Sequence, residues 1–206
     1  MAFESEIADS IVKTIMEHNE VADWSGDTAS ANVYINRYDG LIKTIDAAAT
    51  AIDGNTGAVT AATGITSGAS GNVDTLITDL VNSRPAKVKS AANQVLFVGQ
   101  DTFDKYVDTL NAKNLFNVNA TDWANYTMSV VGKNVTLVGV VGLDGTDRMF
   151  LGTQENFFLG FDLQNDEEEF DMWYDKKDDK VYYRVKFKRG LQIAYPSELV
   201  EFTLVP

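Results

Sequence analysis

The sequence predicts an α+β protein, and three observations support that fold class. An amphipathic helix opens the chain, an apolar strand followed directly by a helix occupies the middle, and the last third is rich in strand signals. Of the 206 residues, 45% are hydrophobic and 23% are charged, which is typical of a globular protein. We therefore expect one sizeable domain, or two lobes that share a core.

Residues 3–18 have the spacing of an amphipathic helix. Phe3, Ile7, Ile11 and Ile15 recur every four residues, so they lie on one helical face. Acidic residues occupy the first turns, where they interact favourably with the helix dipole.

The segment after this helix gives weaker signals. Residues 32–46 combine a short strand-like run with a turn at Asp39-Gly40. Residues 47–72 consist almost wholly of Ala, Gly, Thr and Ser, and offer few large side chains for burial. We expect a long surface loop there, with one strand at 58–62.

Two further helices and a strand are predicted between residues 73 and 113. Residues 73–84 return to helical spacing, with Asn72 as the predicted N-cap. The apolar run at 94–99 predicts a buried strand. A helix is predicted at 101–113, with Asp101 as its N-cap. Its predicted inner stripe consists of Phe103, Tyr106, Val107 and Leu110.

Residues 167–188 predict a β-hairpin centred on Lys177-Asp178. On one face the predicted cross-strand pairs are Glu167 with Lys188, Glu169 with Lys186, and Asp171 with Arg184. On the other face they are Phe170 with Val185, Met172 with Tyr183, and Tyr174 with Val181. A cross-strand pair of opposite charges is worth roughly 0.2–1 kcal/mol. The basic cluster therefore has its acidic partners within the same hairpin, and we predict these six charged residues as an interface.

Two other interpretations of this charged hairpin stay open. The basic strand could bind an anion, and the acidic run before it could bind Ca²⁺ or Mg²⁺. The acidic run lacks the glycine-hinged spacing of an EF-hand loop, so the charge-laced hairpin is preferred.

The composition excludes several kinds of catalytic site. The formal net charge is −13, which disfavours non-specific binding to nucleic acid or to an anionic membrane. The chain contains no cysteine and one histidine, His18, so thiolate nucleophiles and multi-histidine metal sites are excluded within one chain. Motif searches find no phosphate-binding loop, no dinucleotide fingerprint and no nucleophile elbow. We predict no catalytic residue, no metal and no cofactor.

Three segments follow one another in a recognisable order. "QVLFVGQDTFDKYVDTL" combines an apolar strand with a helix, and "VTLVGVVGLDGTDRMFLGT" combines a strand, a loop and a second strand. An acidic stretch, a basic and apolar strand and "GLQIAYP" (190–196) then follow. This order, over about residues 75–206, resembles the major capsid proteins of tailed bacteriophages, which have the Hong Kong 97 fold.

The resemblance implies a spine helix at 1–30, an axial domain at 31–135 that holds the 47–72 loop, and a β-rich segment at 136–206 that returns to the peripheral domain. It implies a structural subunit that self-assembles into pentameric and hexameric capsomers, with scaffold or portal proteins as further partners. It places the protein in the virion, assembled in the bacterial cytoplasm. The family's N-terminal arm and extended loop, which clasp neighbouring subunits, are not found in this sequence.

Alternative functions come from other features of the chain. Trp24, Trp123 and Trp173 could form the platform of a carbohydrate-binding module or of another phage structural protein. A nanocompartment shell of the encapsulin type would share the capsid fold and differ in its cargo. A carboxylate-dependent hydrolase would use residues such as Asp166 and Glu168.

Overall fold

The computed structural model describes residues 2–57, 59–115, 125–161, 169–186 and 188–206. The helices of this described part are α1 (Ala2–Ser25), α2 (Leu41–Ala48), α3 (Val73–Asn82), α4 (Ala86–Lys89) and α5 (Gln100–Ala112). Its strands are β1 (Ile52–Asp53), β2 (Gln94–Gly99), β3 (Thr127–Ser129), β4 (Thr136–Val140), β5 (Met149–Thr153), β6 (Phe157–Phe161), β7 (Glu169–Asp175), β8 (Lys180–Lys186), β9 (Arg189–Ile193) and β10 (Val200–Phe202). The predicted α+β class is confirmed.

A six-stranded sheet forms the centre of the fold, in the order β1-β10-β5-β2-β4-β3. The pairs β1/β10 and β2/β4 run parallel, while β10/β5, β5/β2 and β4/β3 run antiparallel. The strand predicted at 94–99 is β2, which lies inside the sheet between β4 and β5. Two antiparallel pairs stand outside this sheet: β6 pairs with β9, and β7 pairs with β8.

The larger core lies between one face of the sheet and helices α3 and α5. Its buried side chains include Leu76, Ile77, Leu80, Leu96, Phe103, Tyr106, Leu110, Leu137, Leu151 and Phe202. The apolar stripes predicted for the helices at 73–84 and 101–113 therefore face the sheet. Burying one such side chain stabilises the fold by roughly 1.5–3 kcal/mol, so this core holds both helices in place.

A second core lies on the opposite face of the sheet. Its buried side chains are Trp24, Leu41, Ile45, Leu143, Phe150, Ile193 and Leu199. Strand β5 serves both cores, because Phe150 belongs to this one while its neighbours Met149 and Leu151 belong to the other. The second core seats the end of α1, helix α2 and strand β9 on the sheet.

Helix α1 continues seven residues beyond the predicted end at residue 18, to Ser25. Its last turns dock on the turn at 141–143. The Val141 N–H donates to Glu20 Oε1 at 3.0 Å, and Ser25 Oγ donates to the Gly142 carbonyl oxygen at 2.9 Å. These tertiary contacts, which are distant in sequence, extend the helix past its amphipathic pattern.

The strand-like prediction for residues 32–46 is wrong. Residues 33–35 form a turn, and the chain then enters helix α2 at Leu41. Leu41 and Ile45 are one helical turn apart and are both buried in the second core. Local hydrogen bonds favour the turn over a strand, because Asn32 accepts from the Tyr34 N–H through Oδ1 and from the Asn36 N–H through its carbonyl oxygen, at 3.1 Å each.

The low-complexity segment 47–72 is tied down by two asparagines. Asn55 Nδ2 donates to the carbonyl oxygens of Val59 and Thr203, at 2.9 Å each, while its Oδ1 accepts from the Val59 N–H at 2.8 Å. Asn72 Oδ1 accepts from the Thr66 N–H at 2.8 Å, which replaces the predicted capping bond to α3. Hydrogen bonds of these amide side chains therefore hold the segment in place, because it has few large apolar side chains to bury.

The prediction of a strand at 58–62 is also wrong. The strand of this segment is β1, at Ile52–Asp53, and Thr60 makes a single parallel bridge to Val205. Ala58 lies outside the described residues.

The predicted cap of helix α5 is corrected as well. The N-cap residue is Gly99, and Asp144 Oδ1 accepts hydrogen bonds from the N–H groups of Gln100 and of Asp101, the latter at 3.3 Å. Asp101 therefore stands inside the helix rather than at the predicted capping position. A carboxylate from a distant loop satisfies the first amides of the helix.

Candidate functional site

Strands β7 and β8 form an antiparallel hairpin, here called the arm (Glu169–Asp175 with Lys180–Lys186), that is separate from the main sheet. Its register places Glu169 opposite Lys186 and Asp171 opposite Arg184, as predicted. The predicted pairs Phe170–Val185, Met172–Tyr183 and Tyr174–Val181 are also confirmed. Glu167 lies outside the described residues, and its predicted partner Lys188 is exposed.

The arm presents aromatic side chains to solvent. Trp173 is 47% exposed and stacks on Tyr182 of the facing strand, with ring centroids 5.7 Å apart. On the opposite face, Tyr174 is 55% exposed and Val181 is 47% exposed. Large side chains that remain exposed on both faces are typical of a contact surface for another protein.

Hydrogen bonds order the turn that closes the arm. Tyr182 Oη donates to Asp178 Oδ2 at 2.9 Å, and Tyr174 Oη donates to Asp179 Oδ1. The Lys177 N–H donates to Asp175 Oδ1 at 2.8 Å. The residues at the predicted centre of the hairpin therefore hold the two strands in register up to the tip.

Asp23 of α1 anchors strand β9, which follows the arm in the chain. Arg189 of β9 donates from Nε to Asp23 Oδ1 at 2.8 Å and from Nη2 to Oδ2, and Tyr38 Oη donates to Asp23 Oδ1 at 2.7 Å. Burial raises the pKa of the Tyr38 hydroxyl well above its usual range, and the bond to Asp23 raises it further. This cluster joins α1, the 26–40 loop and the strand pair β6–β9.

The strand pair β6–β9 carries a second exposed apolar surface. Phe158 is 54% exposed and Leu159 is 41% exposed, while their neighbour Ile193 is buried in the second core. Gly160 and Gly190 face each other across this pair. The pair therefore runs from the buried core into solvent before the arm begins.

A group of opposite charges lies beside α2. Lys43 Nζ donates to Asp27 Oδ1 at 2.6 Å and to Asp39 Oδ1 at 2.8 Å. Hydrogen bonds from Lys43 and from Thr28 together lower the pKa of Asp39 to about 2. An open depression of about 400 Å³ adjoins this group and is lined also by Gln192. Thr44 also lines it, and its Oγ1 donates to the Gly40 carbonyl oxygen at 2.9 Å.

The two tryptophans that the structure describes do not share an exposed platform. Trp24 is buried in the second core, whereas Trp173 is exposed on the arm, and Trp123 lies outside the described residues. His18 stacks on Tyr34 with ring centroids 4.7 Å apart, as part of the packing of the 26–40 loop on α1.

The described residues offer no metal site and no membrane span. Among them, no group of three or more histidine and acidic side chains could hold a metal ion. None of the described helices is both long enough and apolar enough to cross a membrane. Asp166 and Glu168, the candidates for a hydrolase, lie outside the described residues.

Comparison with known proteins places this fold among phage capsid proteins. A chain of the satellite phage P4 procapsid, in a structure that includes the size determination (Sid) protein, aligns over 99% of this chain with a TM-score of 0.66 and 16% identity. A chain of the empty GTA particle capsid aligns over 98% with a TM-score of 0.59 and 11% identity. A chain of Mycobacterium phage Che8 aligns over 96% with a TM-score of 0.50 and 11% identity.

The likeness is one of structure. No protein-family model matches the sequence, and no curated protein matches it significantly. The chain spans 64%, 66% and 60% of the lengths of the three structural neighbours, respectively. The protein therefore has the fold of phage capsid proteins, in agreement with the resemblance that its sequence shows.

Proposed function

We propose that this protein is a structural, non-enzymatic subunit of an icosahedral phage or prophage capsid, and that it needs no cofactor. One observation carries the proposal: nearly the whole chain, 99%, superposes on a chain of a phage procapsid. A fold does not by itself define a function, but among the described residues no group of three or more histidine and acidic side chains could hold a metal ion.

We further propose the Hong Kong 97 layout for this fold. Residues 1–30, with α1, would form the spine helix, residues 31–135 the axial domain, and residues 136–206 the return to the peripheral domain. The length of α1, at 24 residues, supports the first assignment. The order of strands and helices after residue 94 supports the others.

The proposed contact surface is the arm together with Glu167, which precedes it in the chain, and Lys188, which follows it. Its charged residues are Glu167, Glu169, Asp171, Arg184, Lys186 and Lys188. The exposed aromatic rings of the arm support this assignment, because a monomer gains nothing by leaving Trp173 and Tyr174 in water. The proposed partners are other copies of the chain in pentameric and hexameric capsomers, with scaffold or portal proteins as further partners. Assembly would take place in the bacterial cytoplasm and end in the virion.

Assembly across a salt series tests this function. With a net charge of −13, subunits repel one another at low salt. The screening length falls to about 10 Å at about 0.1 M salt and to about 3 Å at about 1 M. Light scattering and negative-stain microscopy should therefore show rings of five or six, or closed shells, as salt is raised. A monomer at every salt and protein concentration would contradict the proposal.

A single-residue variant tests the contact surface. Arg184 is exposed on β8, and we expect Arg184→Glu to reduce assembly at a given salt concentration. Lys89→Glu changes the charge by the same amount at an exposed position on α4 and serves as the matched control. Equal assembly by the two variants would remove the arm from the contact surface and leave the capsid function standing.

A further inference from the structure

We propose that neighbouring subunits meet arm to arm, with the basic edge strand β8 of one copy against the acidic edge strand β7 of the next. The proposal rests on the capsid function above and names the partner surface for the arm. It is argued from the distribution of charge between the two strands, from their open edges and from the symmetry that the charges permit.

The two strands of the arm carry opposite charges. Strand β7, "EFDMWYD", contains three acidic residues and no basic one. Strand β8, "KVYYRVK", contains three basic residues and no acidic one. Within the hairpin the two sets face each other in pairs, since Glu169, Asp171 and Asp175 stand opposite Lys186, Arg184 and Lys180. Each strand also has a second side, which faces away from its partner.

These outer edges have no strand partner among the described residues of the same chain. The arm is a two-stranded sheet, so the outer edge of β7 and the outer edge of β8 are both open. Open edges are templates for pairing with another chain, and proteins commonly protect them with charges of one sign. In the arm, strand β7 is acidic and strand β8 is basic. Two β7 edges or two β8 edges therefore repel each other, whereas a β8 edge attracts a β7 edge.

This charge pattern selects the symmetry of the contact. A two-fold contact between two β8 edges would set Lys180, Arg184 and Lys186 against a second basic set, and a contact between two β7 edges would oppose two acidic sets. A head-to-tail contact of β8 on β7 places every charge beside its opposite. Head-to-tail contacts close into rings when the rotation allows it, which is the symmetry that a capsomer or a cluster of capsomers needs.

The aromatic pair adds apolar area to the same contact. Trp173 of β7 and Tyr182 of β8 stand opposite each other between the charged pairs. A neighbouring arm would cover Trp173, of which 47% is exposed in the single chain. The hydrogen bonds at the turn keep these positions in register, so the arm would meet its neighbour as an ordered surface.

Two complementary variants test the proposal directly. In a basic-arm variant (Glu169→Lys, Asp171→Lys, Asp175→Lys) both edges are basic, and in an acidic-arm variant (Lys180→Glu, Arg184→Glu, Lys186→Glu) both are acidic. We expect each alone to give at least about tenfold less assembled protein than the unmodified chain, because like charges then meet at the contact. We expect a mixture of the two to form mixed oligomers, in which basic and acidic arms alternate.

Controls separate a lost contact from a damaged fold. Circular dichroism and thermal unfolding check that both cores remain intact in each variant. The double variant Asp104→Lys, Asp108→Lys, at exposed positions on α5, should not restore assembly when it is mixed with the acidic-arm variant.

A cross-linking experiment gives an independent geometric readout. The chain contains no cysteine, so Tyr174→Cys on β7 and Val181→Cys on β8 each introduce a single thiol at an exposed position. With a short bismaleimide, a mixture of the two chains should give cross-linked dimers, and neither chain alone should do so. Cross-links within one variant only would show that identical edges meet, and would overturn the proposal.

The outcomes distinguish the arm contact from the capsid function. If the unmodified chain forms no ring or shell under any condition, the capsid function itself fails. If it assembles and both arm variants assemble equally well, the arm contact fails while the capsid function stands. If both variants fail to assemble and mixing restores nothing, the charges act within each hairpin, and the contact between copies is again overturned.

Discussion

Gly40 donates its backbone N–H to the carbonyl oxygen of Gly26 at 2.9 Å, and the two residues lie too close together for either to carry a side chain. A Cβ on Gly40 would lie 2.6 Å from the Gly26 nitrogen and 2.6 Å from the Trp24 carbonyl oxygen. This hydrogen bond closes the 26–40 loop, which connects α1 to α2. It therefore sets the position of both helices on the second core.

We expect Gly40→Ala to lower the free energy of unfolding by about 3 kcal/mol, because the new methyl group meets rigid backbone atoms. Gly57→Ala is the matched control, since no atom lies within 4 Å of the position of its Cβ, and we expect a change within about 0.5 kcal/mol. Chemical denaturation of the two variants measures both values. Similar stabilities would show that the backbone at residue 40 yields to a side chain.

The cap of helix α5 provides a second prediction. Asp144 accepts from the first amides of the helix, so Asp144→Ala should cost about 1 kcal/mol of stability. Asp101→Ala should cost less than about 0.5 kcal/mol, because Asp101 is not the capping residue. Thermal unfolding of both variants decides between them. A larger loss for Asp101→Ala than for Asp144→Ala would restore the cap that the sequence predicts.

Features that depend on local pattern could be predicted from the sequence. The register of the arm follows from charges that alternate with period two around Lys177-Asp178, and strand pairing preserves that pattern. Helices α3 and α5 follow from apolar residues at helical spacing, and their stripes are buried. The exposure of Trp173 could not be predicted in the same way, because alternation assigns a residue to a face without showing what covers that face.

Features that depend on distant partners could not be predicted. The cap of α5 comes from Asp144, 43 residues after Asp101, and the loop at Asn55 is held by Thr203, 148 residues away. Helix α2 forms because Leu41 and Ile45 pack in the second core. The sequence around these two residues does not show that contact. In each case the deciding interaction lies outside the segment whose pattern is being interpreted.

The Asn55 cluster gives a third prediction. Asn55→Ala removes two donated hydrogen bonds and one accepted bond from a buried side chain and leaves the Val59 and Thr203 carbonyl oxygens without these partners. We expect a loss of about 2–3 kcal/mol and faster amide exchange at 54–64, because unpaired buried polar groups carry a desolvation cost. Hydrogen exchange with mass spectrometry measures the local effect. Thr56→Ala, at an exposed neighbouring position, should leave exchange unchanged, and equal acceleration in both variants would contradict the assigned role.

Arg148 joins two elements across the second core and provides the last prediction. Its Nη2 lies 2.5 Å from Asp46 Oδ1 on α2 and 3.2 Å from Glu201 Oε2 on β10, and its guanidinium lies over the Phe150 ring. Burial raises the pKa of the Glu201 carboxyl, Arg148 opposes that rise, and Asp46 adds to it. Arg148→Met should therefore cost about 2 kcal/mol at about pH 7, because it leaves Glu201 half-buried beside a second carboxylate.

The pH dependence of this loss follows from the direction of the shift. Without Arg148, the pKa of Glu201 rises further, so the folded state holds its proton more tightly than the unfolded state does. The free energy of unfolding then falls as pH rises above the ordinary glutamate value of about 4.3. The deficit of Arg148→Met should be smaller at about pH 4 than at about pH 7, and adding Glu201→Gln should abolish most of this difference. A deficit that is the same at both pH values would show that Arg148 stabilises the fold through its packing on Phe150 rather than through its charge.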